Sequence, residues 1–102
     1  MTNFTYSKDL PDNLDLGKIV AVDCETMGLN PGRDRLCVVQ LSSGDGHTHI
    51  VQIEKNQTKA HNLARLLQDE NILKLFHFGR FDIAILYSTF GTLSSPVYCT
   101  KI

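Results

Sequence analysis

The sequence predicts a single α/β domain built on a mixed sheet, and three patterns carry this prediction. Three strand-like apolar segments follow one another in the first half of the chain, joined by a glycine-rich turn and a short hairpin loop. An amphipathic helical pattern then separates them from a fourth apolar segment, which makes a strand–helix–strand crossover. The length of 102 residues suits one domain with one core. We therefore expect an antiparallel meander of three strands, continued by parallel crossover strands.

The meander is predicted over residues 18–24, 36–41 and 47–53, with a hairpin loop over 42–46. The polar segment before it, residues 1–16, is expected to be an arm with one edge strand near residues 4–6. Ile19 to Val22 are four consecutive apolar residues, a pattern that is typical of a strand buried on both faces.

The second half of the chain reads as alternating helices and strands. Apolar residues at helical spacing predict a helix over 59–70, with Thr58 as its N-cap. A strand over 72–77 should lie parallel in the sheet because a crossover precedes it. A second helix is predicted over 80–88, with Phe81, Ala84 and Ile85 on one face, and a fifth strand over 97–100.

Composition and charge exclude several classes of protein. The net charge of −1 argues against a broad basic face for long nucleic acid, but not against a short one held at its reacting end. No signal-peptide pattern and no apolar run of membrane-spanning length is present, so we expect no membrane association. The scattered basic side chains are predicted to be solvated; they are Arg33, Arg35, Lys55, Lys59, Arg65, Lys74 and Arg80.

Three cysteines, an odd number at irregular spacing, do not suggest a disulfide framework or a zinc site. Cys24, Cys37 and Cys99 are therefore predicted to be small buried side chains in a reducing, cytoplasmic compartment.

Two carboxylates end the first strand of the meander. Side chains two apart on a strand point the same way, so Asp23 and Glu25 should lie side by side while Cys24 faces the opposite layer. Such a pair repels itself and resists desolvation unless a cation lies between its members. A divalent metal is the usual solution, although an Asp-x-Glu at a strand end is also a common polar start of a loop.

A third carboxylate, Asp82, is predicted in the first turn of the helix that follows the fourth strand. If that strand lies beside the first, Asp82 comes close to Asp23 and Glu25 at the carboxyl edge of the sheet, where ligands of open α/β sheets bind. His77 just before this helix is expected to be hydrogen-bonded to the backbone instead of ligating metal. His47 and His49 lie two apart on a strand, but a third ligand is missing, so we predict no metal site there.

Together these stretches resemble a known family. Asp23-Cys-Glu-Thr-Met-Gly-Leu29 and Phe76-His-Phe-Gly-Arg-Phe-Asp82 look like the first two motifs of ribonuclease D-like 3′–5′ exonucleases of the DEDD superfamily, and most like the short bacterial nano-RNase C type. The resemblance runs from about Lys18 to the last residue. It implies a ribonuclease H-like fold, incomplete at the C-terminus, and an enzyme that releases 5′-mononucleotides from short single-stranded RNA or dinucleotides.

The resemblance also implies roles for particular residues and for partners. Two divalent ions, Mg²⁺ or Mn²⁺, would be held by Asp23, Glu25 and Asp82, with Asp23 bridging them. The 3′-terminal nucleotide would meet the backbone after Glu25 and the pocket near the second motif, and homo-oligomers are expected. The substrate-binding residues so implied are Thr26, Met27, Gly28, Leu29, His77 and Phe81.

The third motif of this family, a metal-binding Asp preceded by Tyr or His, has no counterpart here. Tyr87 and Tyr98 lack a following acid. We therefore expect residues 1–102 to be the N-terminal part of one exonuclease domain, catalytically inactive alone, with an apolar patch exposed on one face of the sheet. Two alternatives remain: a non-catalytic nucleic-acid-binding or assembly domain, and a phosphoacceptor domain with Asp23 as acceptor, which is disfavoured because no lysine follows on a suitable strand.

Overall fold

A computed structural model describes residues 2–28, 30 and 33–100 and places them in six strands and two helices. In chain order the elements are β1 (Thr2–Ser7), β2 (Ile19–Thr26), β3 (Leu36–Ser42), β4 (His47–Gln52), α1 (His61–Gln68), β5 (Leu73–His77), α2 (Gly79–Phe90) and β6 (Val97–Thr100). All five strands and both helices predicted from the patterns are present. The edge strand expected near residues 4–6 is β1.

The six strands form one mixed sheet in the order β1-β4-β3-β2-β5-β6. β2, β3 and β4 are the predicted antiparallel meander. β5 lies parallel to β2, and β6 lies parallel to β5, because each is reached by a helical crossover. β1 adds to the far edge, parallel to β4. The central position of β2 brings its carboxyl end beside that of β5.

One face of the sheet is covered, and the prediction that β2 is buried on both faces is wrong. Val20 and Val22 are buried in the core with residues of both helices. Ile19 is 54% exposed, and Ala21 is also exposed. Side chains of a strand alternate between its two faces, and here every second one points to a face that neither described helix covers. An apolar run alone does not tell whether both faces are covered.

The uncovered face carries the apolar patch that the sequence predicts. Ile19 pairs with Leu73, Ala21 with Leu75, and Leu75 with Tyr98, so these side chains share the face. Tyr98 is 61% exposed. Apolar side chains of three neighbouring strands therefore lie on the same face of the sheet as Asp23.

Helix α1 is capped from the N-terminal arm and not by Thr58. Its N-cap position is Ala60, which has no side-chain capping bond. The carboxylate of Asp9 instead accepts the amide hydrogens of Asn62 and Leu63, both at 2.9 Å. A carboxylate on these unpaired amides also interacts favourably with the helix dipole. The arm is thus part of the fold.

Helix α2 begins at Gly79 and buries Asp82, Ile85 and Leu86. Ala84, predicted on the buried face, is exposed, and Phe81 is half-buried against the core. Neither of the helices in the described part of the chain is long and apolar enough to cross a membrane.

Lys74 is a clear exception to the predicted solvated cations. Its side chain is fully buried, and its ammonium nitrogen donates hydrogen bonds to the backbone oxygens of Asp69 (2.7 Å), Ile72 (2.6 Å) and Ser95 (2.8 Å). An ammonium group has three donors, and all three are used here. Lys74 thereby ties the end of α1, the start of β5 and the loop before β6 together.

The cysteines are less buried than predicted. All three are free thiols; Cys24 and Cys37 are half-buried, and Cys99 on β6 is exposed. The strand position of Cys99 was correctly predicted, but β6 is an edge strand with exposed side chains, so strand membership alone does not bury it.

Candidate active site

The carboxyl ends of β2 and β5 form the edge at which the predicted site residues meet. The parallel β2–β5 ladder stops at the pair Val22–Phe76. β2 continues for four more residues, which carry Asp23 and Glu25, while β5 gives way to α2. This leaves the backbone of β2 beyond Val22 without a strand partner on the β5 side.

Asp23 and Glu25 point to the uncovered face of the sheet, as their spacing predicts. Both are exposed, whereas Cys24 between them is half-buried and packs against the core on the other face. An open trough of about 490 Å³ runs along the uncovered face, with Asp23 in its lining together with His77 and Thr100. Asp23 therefore has direct access to a molecule lying on this face.

Close packing of the start of α2 on the sheet positions Asp82. A Cβ atom at Gly79 would lie 2.5 Å from Phe76 Cβ and 2.7 Å from Cys99 Sγ, so only glycine allows this approach. The preceding residue, Phe78, adopts a left-handed conformation (φ 51°, ψ 52°), which turns the chain abruptly from β5 into the helix. Asp82 then stands in the first turn, where the helix dipole favours a carboxylate.

The Asp82 carboxylate occupies the gap beside β2. It is only 7% exposed, and its Oδ2 accepts the Cys24 amide hydrogen at 3.3 Å. Burial, and after it the nearby charge of Asp23, raise the pKa of Asp82 to about 6, against the opposing effect of the Cys24 amide. Burial, followed by the charges of Asp82 and Asp23, also raises the pKa of the Cys24 thiol, which stays neutral.

These acids lack compensating positive charge. Among the described residues, Asp23, Glu25 and Asp82 form no ion pair; the pairs present are Lys8–Glu54 and Arg33–Asp34. Oxygen donors without cationic partners suit hard divalent ions such as Mg²⁺. Within residues 2–28, 30 and 33–100, however, no three His, Cys, Asp or Glu side chains converge into a complete metal centre. Asp23 lies close enough to Asp82 to raise the pKa of that carboxyl, and metal ligation by the three acids stays a prediction.

The backbone after Glu25 leaves the sheet through an irregular register. A shift between Glu25 and Thr26 marks a bulge, and the Met27 amide returns to the Arg35 oxygen at 3.0 Å. The Thr26 hydroxyl donates to the Gly28 oxygen. Met27 is 72% exposed at the edge of the site. Leu29, also predicted to bind substrate, lies outside the described residues.

Of the two remaining predicted substrate contacts, His77 ends β5 and Phe81 lies within α2. His77 is exposed, and its Nδ1 lies 3.1 Å from Thr100 Oγ1, so its partner is a side chain on β6 and not the backbone that the sequence suggested. Phe81 is half-buried one residue before Asp82. His77 lines the trough together with Asp23, whereas Phe81 packs against the core.

Sequence reasoning missed Asp34, which organises the turn after Glu25. Its carboxylate accepts the Asn30 amide hydrogen at 2.9 Å and contacts the Arg33 guanidinium at 3.1 Å. Aspartate is favoured in turns because its side chain forms hydrogen bonds with the nearby backbone. The position of Asp34 between Gly28 and the start of β3 was the sequence signal that could have indicated this role.

The sequence matches a family described as 3′–5′ exonuclease over residues 2–102. Ribonuclease D of Granulibacter bethesdensis is 32% identical over 104 residues, which cover 99% of this chain and 26% of that protein. Ribonuclease D of Nitrobacter hamburgensis is 30% identical over 84 residues, which cover 82% of this chain and 22% of that protein.

Solved structures give the same picture. NrnC of Brucella melitensis with bound Mg²⁺ is 54% identical, with a TM-score of 0.93 over 97% of this chain and 50% of that one. The same protein bound to pGG matches with 54% identity and a TM-score of 0.93, over 97% of this chain and 49% of that one. Ribonuclease D of Escherichia coli is 25% identical, with a TM-score of 0.64 over 79% of this chain and 21% of that one. The chain thus spans about half the length of the NrnC chains and about a quarter of the first ribonuclease D relative above.

Proposed function

We propose that this chain supplies part of the catalytic domain of a metal-dependent 3′–5′ exoribonuclease. The chain belongs to the 3′–5′ exonuclease family, and within it to the ribonuclease D-like DEDD exonucleases of the NrnC type. The observation that carries the proposal is the Asp82 carboxylate, buried against the Cys24 amide and beside Asp23. A buried acid placed next to a second acid without a cation is costly for a purely structural role.

In this proposal Asp23, Glu25 and Asp82 would hold two divalent ions, and Asp23 would serve both. Bound there, Mg²⁺ or Mn²⁺ would activate a water nucleophile and stabilise charge on the departing oxygen. Asp23 and Glu25 orient their carboxylates over the uncovered face, where the scissile phosphate would lie. The Asp82 carboxylate is held beside β2 by its hydrogen bond from the Cys24 amide.

The proposed substrate is short single-stranded RNA, down to a dinucleotide, and the products are 5′-mononucleotides. Support comes from the related NrnC structure that contains pGG and from the net charge of −1, which leaves few cations for a long phosphate backbone. Thr26, Met27, Gly28 and Leu29 would meet the 3′-terminal nucleotide. His77 and Phe81 would form the other side of the pocket.

Catalysis by residues 1–102 alone is not expected. Two ions need more oxygen ligands than the three acids supply, and neither Tyr87 nor Tyr98 is followed by an acid that would complete a third motif. We propose that further chain supplies these groups, that the protein works as a homo-oligomer, and that it acts in the cytoplasm. The exposed apolar side chains behind Asp23 are where added helices or another subunit would pack.

The test compares RNA hydrolysis by the 102-residue chain and by an extended protein that contains it. A diribonucleotide and a longer single strand are each incubated with EDTA, Mg²⁺ or Mn²⁺, and products are separated by chromatography. We expect the extended protein to release 5′-mononucleotides only with metal, faster from the dinucleotide, and the short chain to be inactive. Glu25→Gln should abolish turnover, whereas Glu70→Gln, at an exposed position after the end of α1, should not.

Three outcomes would contradict the proposal. Hydrolysis that persists in EDTA would exclude the metal-dependent mechanism. Binding without hydrolysis by every extended protein would favour a non-catalytic nucleic-acid-binding domain. A preference for long or duplex substrate would contradict the proposed substrate class while leaving the exonuclease assignment in place.

A further inference from the structure

Asp34 is hydrogen-bonded to Asn30 and Arg33, shortly after the proposed substrate-binding residues. Its Oδ2 accepts the Asn30 amide hydrogen at 2.9 Å, while its own amide donates to the Asn30 oxygen at 2.7 Å. Its Oδ1 and Oδ2 also receive Arg33 Nε (3.1 Å) and the terminal guanidinium nitrogen (3.3 Å). The reciprocal bonds link Asn30, which follows β2, to Asp34, which lies two residues before β3.

The same carboxylate fills the space in front of Gly28. A Cβ atom at Gly28 would lie 2.2 Å from Asp34 Oδ2 and 2.7 Å from Asp34 Cγ. These distances are far below van der Waals contact, so a side chain at Gly28 and the observed Asp34 position exclude each other. The glycine is therefore required by the carboxylate in front of it.

The Asn30 bond matters more than the arginine. The Asp34 side chain is 15% exposed, whereas that of Arg33 is 75% exposed. Exposed ion pairs contribute little because water and side-chain entropy offset the attraction. The bond to the Asn30 amide instead fixes backbone three residues after Met27, on the segment that follows Asp23 and Glu25.

We propose that Asp34 is a positioning residue for substrate binding: its carboxylate latches the turn through Asn30 and Gly28 so that residues 26–28 face the acidic site in one conformation. This inference rests on the proposed function, because it assigns those residues to the substrate. Asp34 itself touches no substrate. Its loss lowers affinity by allowing the loop to sample other conformations, each of which must be reordered when the nucleotide binds.

The first experiment measures Kd for pGG by fluorescence competition, with Ca²⁺ present. Asp34→Ala should raise Kd about tenfold, the effect of losing one charge-assisted hydrogen bond. Asp34→Asn keeps an oxygen for the Asn30 amide and should stay within about twofold of wild type. The matched control is Asp45→Ala, which removes a turn carboxylate bonded to the His47 amide at 3.0 Å in the opposite hairpin, and should leave Kd unchanged.

The second experiment is a double-mutant cycle. Gly28→Ala should weaken pGG binding about as much as Asp34→Ala, because the new methyl group displaces the carboxylate. The combined variant should be no weaker than either single variant, since the clash disappears with Asp34. Additive losses would overturn the latch, because Gly28 and Asp34 would then act independently.

Amide hydrogen exchange separates a failed latch from a failed function. Asp34→Ala should speed exchange at Asn30 and Asp34 about tenfold while leaving the sheet amides unchanged. Unchanged exchange at Asn30 would overturn the proposal, whatever the affinity. A wild-type chain that does not bind pGG would count against the proposed substrate, and the exchange result would then decide the latch alone.

Discussion

Lys74 and Asp82 are both buried charged side chains, and their surroundings differ sharply. The Lys74 ammonium is fully buried, with three backbone oxygens at 2.6 to 2.8 Å. Asp82 lies in α2, beyond the opposite end of β5, and has one longer hydrogen bond, 3.3 Å from the Cys24 amide, with the repelling charge of Asp23 nearby. Within the described residues, every donor of the Lys74 ammonium has a hydrogen-bond partner, whereas the Asp82 carboxylate has only one.

The difference separates structural from functional use of charge. Every donor of Lys74 has an acceptor, so its burial closes the junction between α1, β5 and the loop before β6 without a need for any other molecule. Asp82 keeps acceptor capacity that the described protein does not fill. We infer that the fold tolerates this cost at the carboxyl edge because a cation and a substrate complete the site there.

The largest expected effect on stability is at Lys74. Lys74→Met keeps much of the side-chain volume but leaves three buried backbone oxygens without their ammonium partner. The free energy of unfolding should fall by about 3 kcal/mol, since an unsatisfied buried polar group costs about 1–3 kcal/mol. Urea unfolding measures this, with Lys55→Met, an exposed lysine, as the control. A loss below about 1 kcal/mol would show that Lys74 is not a structural clamp.

A smaller effect, opposite in sign, is expected at Asp82. Because its pKa is raised to about 6, the folded protein holds this proton more tightly than the unfolded chain. Without metal, its contribution therefore lowers the free energy of unfolding as pH rises from about 4 to about 6, by on the order of 2 kcal/mol. Asp82→Asn keeps an acceptor for the Cys24 amide and should be more stable than wild type above pH 6.

The measurement is the difference in unfolding free energy between wild type and Asp82→Asn across this pH range, which cancels the contributions of other acids. Glu70→Gln, at an exposed position, should give a flat difference and serves as the control. A difference for Asp82→Asn that is also flat would mean that Asp82 is not destabilised in the fold.

The smallest effect on stability is expected at Asp23. Asp23→Asn removes the charge that repels Asp82, so the metal-free protein should be as stable as wild type or more stable, by up to about 1 kcal/mol. The rise in melting temperature caused by Mg²⁺ should disappear. Thermal melts with and without Mg²⁺ test both statements, and a large loss of metal-free stability would make Asp23 mainly structural.

The fold was largely readable from the sequence because period and connection order determine it. Apolar segments bounded by turn residues, together with helical apolar spacing, located the elements from β2 onwards, and the crossover through α1 favoured a β5 that lies parallel beside β2. That topology alone brought Asp82 to the end of β2. The contact of Asp82 with the end of β2 therefore follows from the order of the strands.

The errors have a common physical origin in contacts between distant parts of the chain. Asp9 caps α1 from 53 residues away at Asn62, which no local capping pattern reveals. The sequence alone does not distinguish Lys74 from a surface lysine, because its burial depends on which face of β5 is covered and on three backbone oxygens from other segments. The apolar run from Ile19 to Val22 does not tell which face is covered. Asp34 acts through the path of its turn, which sequence does not specify.

Binding of a divalent cation by the acids at the carboxyl edge of the sheet can be tested directly with paramagnetic Mn²⁺. In a titration followed by amide NMR signals of the labelled chain, Mn²⁺ should broaden the signals of Asp23, Cys24 and Asp82 first. Signals around Lys74 should stay sharp, and Asp23→Asn should abolish the selective broadening. Broadening centred on another region, such as the histidines of β4, or equal broadening in the variant would contradict the account.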